Sequence, residues 1–319
     1  MVGSRVPRST AEIVSPPTID PRAKLCVSAA RRVWTYALVQ IVQDLSVFPD
    51  LPTRQELTLS LFTGTTDYYR EYRPGIPQEV ADILDTAAPQ HTPRRLLDIA
   101  TGTGLVVEGL FGRFDDIIAN DNDAQMIATA EVALRPMLPA GSSLSLVEIE
   151  AERFEPPSGW QAHLVTICRA FHWLDQEATL RRLDDQVSPD GVVAVFGDNS
   201  FWAAGTSWKV AVRSVIKEFL GGERRAGSGL FKHHDRPYNE ILQESAFSTV
   251  EELRVPVTRT WSRESVLGYL YSTSFAAPQL FGDRLGEFES RIADALEAFS
   301  TEDVYVEENE FLIRLGRRP

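Results

Sequence analysis

The segment Leu96 to Gly104, LLDIATGTG, has the residues of a ligand-binding turn. An apolar run stops at an acid, Asp98, and turns through Gly102 and Gly104 into a helical pattern. Glycine lacks a Cβ, so bare backbone can come close to a ligand there. A second acid, Asp121, ends the next apolar run 19 residues after Gly102, the spacing at which dinucleotide folds place a carboxylate on ribose hydroxyls. Phosphate is poorly served, because no third glycine of a GxGxxG pattern and no Lys-Ser/Thr pair follow. The predicted ligand is therefore nucleoside-like without a polyphosphate. Further along, His172 follows another apolar run and either lines a pocket or is a hydrogen-bonded structural histidine. Phe171 and Trp173 read as wall and core. The acids Glu302, Asp303, Glu307, Glu308 and Glu310 read as a solvated strand edge or as a face for a cationic ligand. His233 and His234 are adjacent, so their side chains diverge and no metal site is expected.

These residues need a frame that gathers them. From about residue 75, short β-branched runs alternate with helical patterns: apolar runs at 96–100, 117–119, 144–150, 164–169 and 192–196, with helices between them. That rhythm is the βαβ unit, which builds a parallel sheet covered by helices on both faces and binds ligands beyond the carboxyl ends of its strands. Every polar signature above lies at such an end. After Asp198 the pattern predicts helices at 207–220, 236–244, 262–275 and 284–299 and strands at 249–260 and 304–315. The last strand alternates apolar and polar residues and is expected at or near an antiparallel edge. The insertion between the fifth and sixth strands is the natural lid. Residues 22–48 predict one or two accessory helices after a tail rich in Pro, Ser and Thr.

Of the 319 residues, 43% are hydrophobic and 24% charged, the balance of a globular protein. Forty-five acids against 32 basic residues give a formal charge of −13, which disfavours nucleic acid and anionic membranes as partners and suits a neutral or cationic small molecule. Two cysteines, Cys26 and Cys168, make no disulfide framework, and Cys168 reads as a small buried hydrophobe. No apolar run approaches the ~20 residues of a membrane span, and the N-terminus lacks the apolar core of a secretory signal, so a cytoplasmic protein is expected.

Together the motifs resemble the class I S-adenosylmethionine-dependent methyltransferases, over roughly Tyr68 to Asp198 with a seven-strand pattern reaching the C-terminus. The resemblance implies a Rossmann-like, mostly parallel seven-stranded sheet flanked by helices, with an N-terminal helical extension. The divisions would be 1–60 (tail and accessory helices), 61–200 (cofactor-binding core), 201–275 (lid, including strand six) and 276–319 (C-terminal helix and final strand). It also implies S-adenosylmethionine as methyl donor and S-adenosylhomocysteine as product, and the absence of Cys/His ligand spacing predicts binding without a metal. Asp98, Ala100 and Gly102 match the first motif, with alanine in place of its first glycine. Asp121 matches the ribose acid, with Asn122 and Met126 where family members cover the adenine. Glu150 and Ala151 match an Asp-Ala-Glu segment that meets the adenine edge. Tyr69 and Arg73, in YREYRPG, are similar to a segment closing over the methionine end, while Arg169 and Ala170 lead into an Ala-Phe-His-Trp signature of small-molecule methyltransferases.

The acceptor is expected near Tyr72, His172, Trp173, Asp198, Glu308 and Glu310: His172 at the fourth strand end and Asp198 at the fifth are candidate proton acceptors, and Asp198, Glu308 and Glu310 would pair with the ammonium groups of a cationic acceptor. The absence of an Asn/Asp-Pro-Pro-Tyr/Phe segment after the fourth strand disfavours adenine or glutamine methylation. A dehydrogenase is disfavoured by the missing glycine. The segments FLGGERRAG and LGYLYSTSF are similar to gentamicin-type aminoglycoside N-methyltransferases, implying an aminosugar amine as acceptor. O- or C-methylation of another metabolite, or a cofactor-binding member without transferase activity, are the alternatives.

Overall fold

The computed structural model describes residues 64–319 apart from 203–204, 223–224, 227–228 and 231–235, and the side chains of 225–226 and 229–230. The expected accessory helices, Cys26 and the His233-His234 pair lie outside the described residues.

Seven strands form one sheet. They are β1 (Arg95–Ile99), β2 (Asp116–Asp121), β3 (Ser143–Glu148), β4 (Ala162–Cys168), β5 (Val187–Asp198), β6 (Thr249–Trp261) and β7 (Tyr305–Arg317). Their order is β3-β2-β1-β4-β5-β7-β6. Neighbours from β3 to β5 pair in parallel, and β7 runs antiparallel to both β5 and β6. The Rossmann-like sheet is as expected. The last strand is second from the edge, and β6 forms the edge beside it. Side chains of β1 and β4 are buried almost throughout, which explains their unbroken apolar runs.

The helices are α1 (Thr66–Tyr72), α2 (Gln78–Ala87), α3 (Leu105–Gly109), α4 (Ala124–Leu134), α5 (Gln176–Leu183), α6 (Ser207–Leu220), α7 (Tyr238–Gln243), α8 (Arg263–Tyr271) and α9 (Leu285–Glu297). Capping sets several of their starts. Asp123 accepts from Gln125 N at 2.8 Å to begin α4, Asp175 accepts from Ala178 N at 2.9 Å to begin α5, and Ser262 with Ser265 forms a capping box on α8. One face of the sheet packs Leu96, Ile117, Leu164 and Ala194 against Val80, Leu84, Val107 and Leu134. The other packs Leu97, Val165, Ile167 and Val193 against Leu180, Leu183, Ile241 and Leu242.

A third apolar cluster joins α6, α8 and α9 through Trp208, Val212, Val266, Leu270, Phe288 and Ile292, with Trp261 and Tyr305 from the ends of β6 and β7. The helical layer is therefore drawn from both the β5–β6 and the β6–β7 connections. Helix α8 falls within the expected 201–275 division and α9 beyond it.

Candidate active site

The turn after β1 is built as a close approach. Gly104 has φ +83°, and a Cβ there would come within 2.4 Å of Leu134 Cδ1, so the strand-to-helix turn packs directly on α4. Ala100, which stands where the motif has glycine, has φ +54°, and Arg169 after β4 has φ +55°. Both are non-glycine residues in the left-handed region, which costs roughly 1–2 kcal/mol each. The alanine is therefore a strained substitute, and both strained positions face the carboxyl ends of central strands.

Asp121 Oδ2 accepts from Gly102 N at 2.9 Å and its Oδ1 from Asp123 N at 3.0 Å, which ties the turn to the end of β2. Burial raises the Asp121 carboxyl above its ordinary value. Asp98 is pushed up to about 6 by burial although Thr166 Oγ1 donates to it at 2.6 Å. Thr103 Oγ1 and Asn120 Oδ1 are buried nearby without a partner. Such orphaned groups around one glycine turn suit a polar ligand carrying both donors and acceptors. Met126 is buried at the start of α4, Ala151 is buried after β3, and Asn122 and Glu150 are exposed, with Glu150 paired to Arg153 at 2.9 Å.

Helix α1 covers this turn. The Tyr69 ring lies 3.6 Å from the Cβ position of Gly102, and burial raises its phenol. Arg73 donates to Ser272 Oγ at 2.8 Å and lies over the rings of Tyr69 and Tyr269 at 4.9 and 4.6 Å. Those partners are neutral, so the guanidinium keeps its charge available for a ligand carboxylate such as that of a methionine moiety. Donor set and geometry thus fit S-adenosylmethionine.

A pocket of about 690 Å³ opens beside it, lined by residues that include Tyr69, Arg73, Arg169, Ala170, His172, Trp173, Asp198 and Glu310. Six of the expected cofactor and acceptor residues thus meet in one cavity with the two candidate proton acceptors. The rings of His172 and Trp173 lie 4.6 Å apart on the pocket wall.

Three acceptor expectations need correction. Asp198 is a structural carboxylate: Arg169 Nε lies 2.6 Å from Oδ1 and Arg259 Nη1 2.6 Å from Oδ2. Burial alone would raise its pKa, but the two guanidiniums overcome this and hold it at about 2, so it cannot take a proton near neutral pH. Tyr72 turns away, its ring pressed on Gly268 of α8 and its hydroxyl donating to Glu264 at 3.3 Å. Glu308 is exposed outside the cavity and accepts from Thr258 Oγ1 at 2.9 Å. Glu310 does line the pocket but is paired with Arg254 at 2.7 Å. Glu307, read within a solvated acidic edge, is buried against Lys209 and accepts from Trp261 Nε1 at 2.6 Å.

Sequence reasoning missed Arg236, Tyr238, Arg254 and Arg314, all of which line the pocket. For Arg254 and Arg314 the available signal was alternation on the last two strands. Leu312 pairs with both Gly197 and Arg254, and Arg314 with both Val195 and Glu252, so alternate residues of three strands share one floor.

Residues 97–195 match the family described as a methyltransferase domain. Uncharacterized methyltransferases of Mycobacterium tuberculosis and Mycobacterium bovis are each 22% identical over 223 residues, 70% of this chain and 80% of theirs. A solved structure from Anaeromyxobacter dehalogenans, assigned to the type II methyltransferases, is 20% identical with a TM-score of 0.52, over 77% of this chain and 98% of that one. A methyltransferase domain over residues 97–195, carried on a sheet of class I order, supports S-adenosylmethionine-dependent methyltransferase activity for this chain.

Proposed function

We propose methyl transfer to a nucleophilic atom of a small-molecule acceptor held in the pocket between the β4 end, α7 and the floor of β5, β7 and β6. The observation that carries this reading is that one half-open cavity meets the glycine turn through Tyr69 and contains His172. When bound, the cofactor supplies an electrophilic methyl group. The cofactor residues are Tyr69, Arg73, Asp98, Ala100, Gly102, Asp121, Asn122, Met126, Glu150, Ala151, Arg169 and Ala170. Asp121 accepts from the ribose, Arg73 holds the methionine carboxylate, and Tyr69 closes the turn against water. Methyl transfer is an in-line displacement, so the protein mainly aligns the partners. His172 takes the acceptor's proton. Asp198 is a positioning residue that holds Arg169.

N-methylation of an aminosugar amine, as in aminoglycoside maturation, retains its support in the sequence resemblance. It gains none from the pocket carboxylates, because Asp198 and Glu310 are each already paired with arginine. The test is mass spectrometry of the full chain with isotopically labelled S-adenosylmethionine and a panel of amines, phenols and carboxylic acids. Transfer of label to a small molecule, lost in His172→Ala with S-adenosylhomocysteine binding unchanged, is the expected result. Cofactor binding without transfer to any class would leave only a binding protein.

A further inference from the structure

The pocket floor carries a charged pattern that the transfer reaction itself does not require. Arg314, on β7, is mostly buried, and burial lowers its pKa. Its Nε lies 3.3 Å from Glu252 but is buried without a hydrogen bond. Among the described residues the Arg314 guanidinium donates no hydrogen bond at all. Glu252 is shared with Arg254 at 3.1 Å, and Arg254 already has Glu310 at 2.7 Å. One carboxylate thus serves two guanidiniums, and the more buried of the two is the less satisfied. The Tyr238 ring lies 5.5 Å from the Arg314 guanidinium carbon, which leaves the planar donor fork set against an aromatic wall.

We infer that the acceptor bears an anionic group, a carboxylate or a phosphate, that docks on Arg314 and Arg254, with a flat unsaturated body against Tyr238 and Phe171. This rests on the methyltransferase reading and names the substrate class of the same site. An oxyanion can accept two parallel bonds from a guanidinium fork and would supply the partner that Arg314 lacks. Only Nε of Arg314 is buried, beside Glu252, which leaves the terminal nitrogens of this pocket-lining guanidinium open to an oxyanion. A polycation would instead meet five pocket arginines, namely Arg73, Arg169, Arg236, Arg254 and Arg314, against two carboxylates, Asp198 and Glu310, that are already paired with arginine. The rings of Phe171 and Tyr238 pack edge to face at 5.1 Å, a wall suited to an aromatic or conjugated ligand.

The experiment uses the full chain saturated with S-adenosylhomocysteine and follows para-fluorobenzoate and para-fluorobenzamide by fluorine NMR. The two probes share a ring and differ in charge. The benzoate should bind saturably and at least about tenfold more tightly than the benzamide, and inorganic phosphate should displace it. Arg314→Gln should weaken the benzoate by about tenfold or more with S-adenosylhomocysteine affinity unchanged. Should that variant fail to fold, Glu252→Gln is a second arm: removing the competing carboxylate should tighten benzoate binding. Equal affinity of the two probes, or no benzoate binding up to about 10 mM, overturns the inference. So does benzoate affinity indifferent to both variants. Failure of S-adenosylhomocysteine to bind is a separate result, and it would remove the methyltransferase reading beneath.

Discussion

Asp198 illustrates how a residue's place can be legible when its role is not. Its position at the end of β5 followed from the alternation of strands and helices, and a carboxylate there invited a role as base. The partner that decides otherwise, Arg259, comes 61 residues later on the edge strand, and only the sheet brings the two together. The consequence for stability has a definite sign. Folded Asp198 titrates at about 2, below an unfolded value near 3.9, so its contribution is present above about pH 4 and is lost as pH falls through about 2. That contribution is about 2–3 kcal/mol. Asp198→Asn also leaves Arg169 and Arg259 buried without their shared carboxylate, so it should cost roughly 3–5 kcal/mol at neutral pH. Urea unfolding should show that deficit at pH 7 and a smaller one near pH 3. A variant as stable as the parent at pH 7 would return Asp198 to the list of available bases.

At the scale of elements, the docking of α1 on α8 decides whether the turn after β1 is covered. A Cβ on Gly268 would stand 2.2 to 2.5 Å from Cγ, Cδ1 and Cδ2 of Tyr72, atoms near the base of the ring that cannot swing aside cheaply. The next residue along, Arg73, anchors to Ser272 just past the end of α8. Gly268→Ala should therefore push α1 off α8, destabilise the protein by roughly 1–3 kcal/mol and weaken S-adenosylhomocysteine binding through Arg73. Tyr72→Ala in the same background should restore much of both, and a double-mutant cycle followed by calorimetry and denaturant unfolding measures this. Independent, additive losses would mean that the helices meet elsewhere. The YREYRPG segment marked α1 as a cover, but nothing local marked Gly268 as the surface it needs. The same limit applied to β6 and β7. Alternation identified each as a half-buried strand, whereas their register, with Glu252 beside Arg314, exists only after pairing.

Across the whole molecule, the charge balance at the site runs opposite to that of the chain. The chain carries a formal −13, yet the contacts where sheet meets helical layer join Arg169, Asp198, Arg259, Glu307 and Lys209, three cations against two carboxylates. Composition therefore described the surface and gave no guide to the pocket. This line of charges crosses the ends of β4, β5, β6 and β7 and finishes on α6, so it fastens the helical layer to the arginine beside the cofactor turn. Glu307 is its most exposed point to substitution, since Lys209, Trp261 and Arg259 all converge on that carboxylate. Glu307→Gln should cost roughly 3–5 kcal/mol, because the buried Lys209 loses its counter-charge while Arg259 keeps only Asp198. Lys209→Met should cost less, since Glu307 keeps the Trp261 donor and Arg259 at 3.9 Å. The two variants also differ in pH dependence. Burial holds Lys209 below its ordinary value while Glu307 pulls it back up, so removing Glu307 lowers it further. A lysine whose folded pKa is depressed binds fewer protons folded than unfolded, and stability then rises with pH up to the unfolded value of about 10.4. The deficit of Glu307→Gln relative to the parent should accordingly narrow between about pH 7 and pH 10, while that of Lys209→Met, which has no such proton to lose, should not. Unfolding curves across that range are the check, and equal slopes for the two variants would show that Lys209 is not the buried cation Glu307 neutralises.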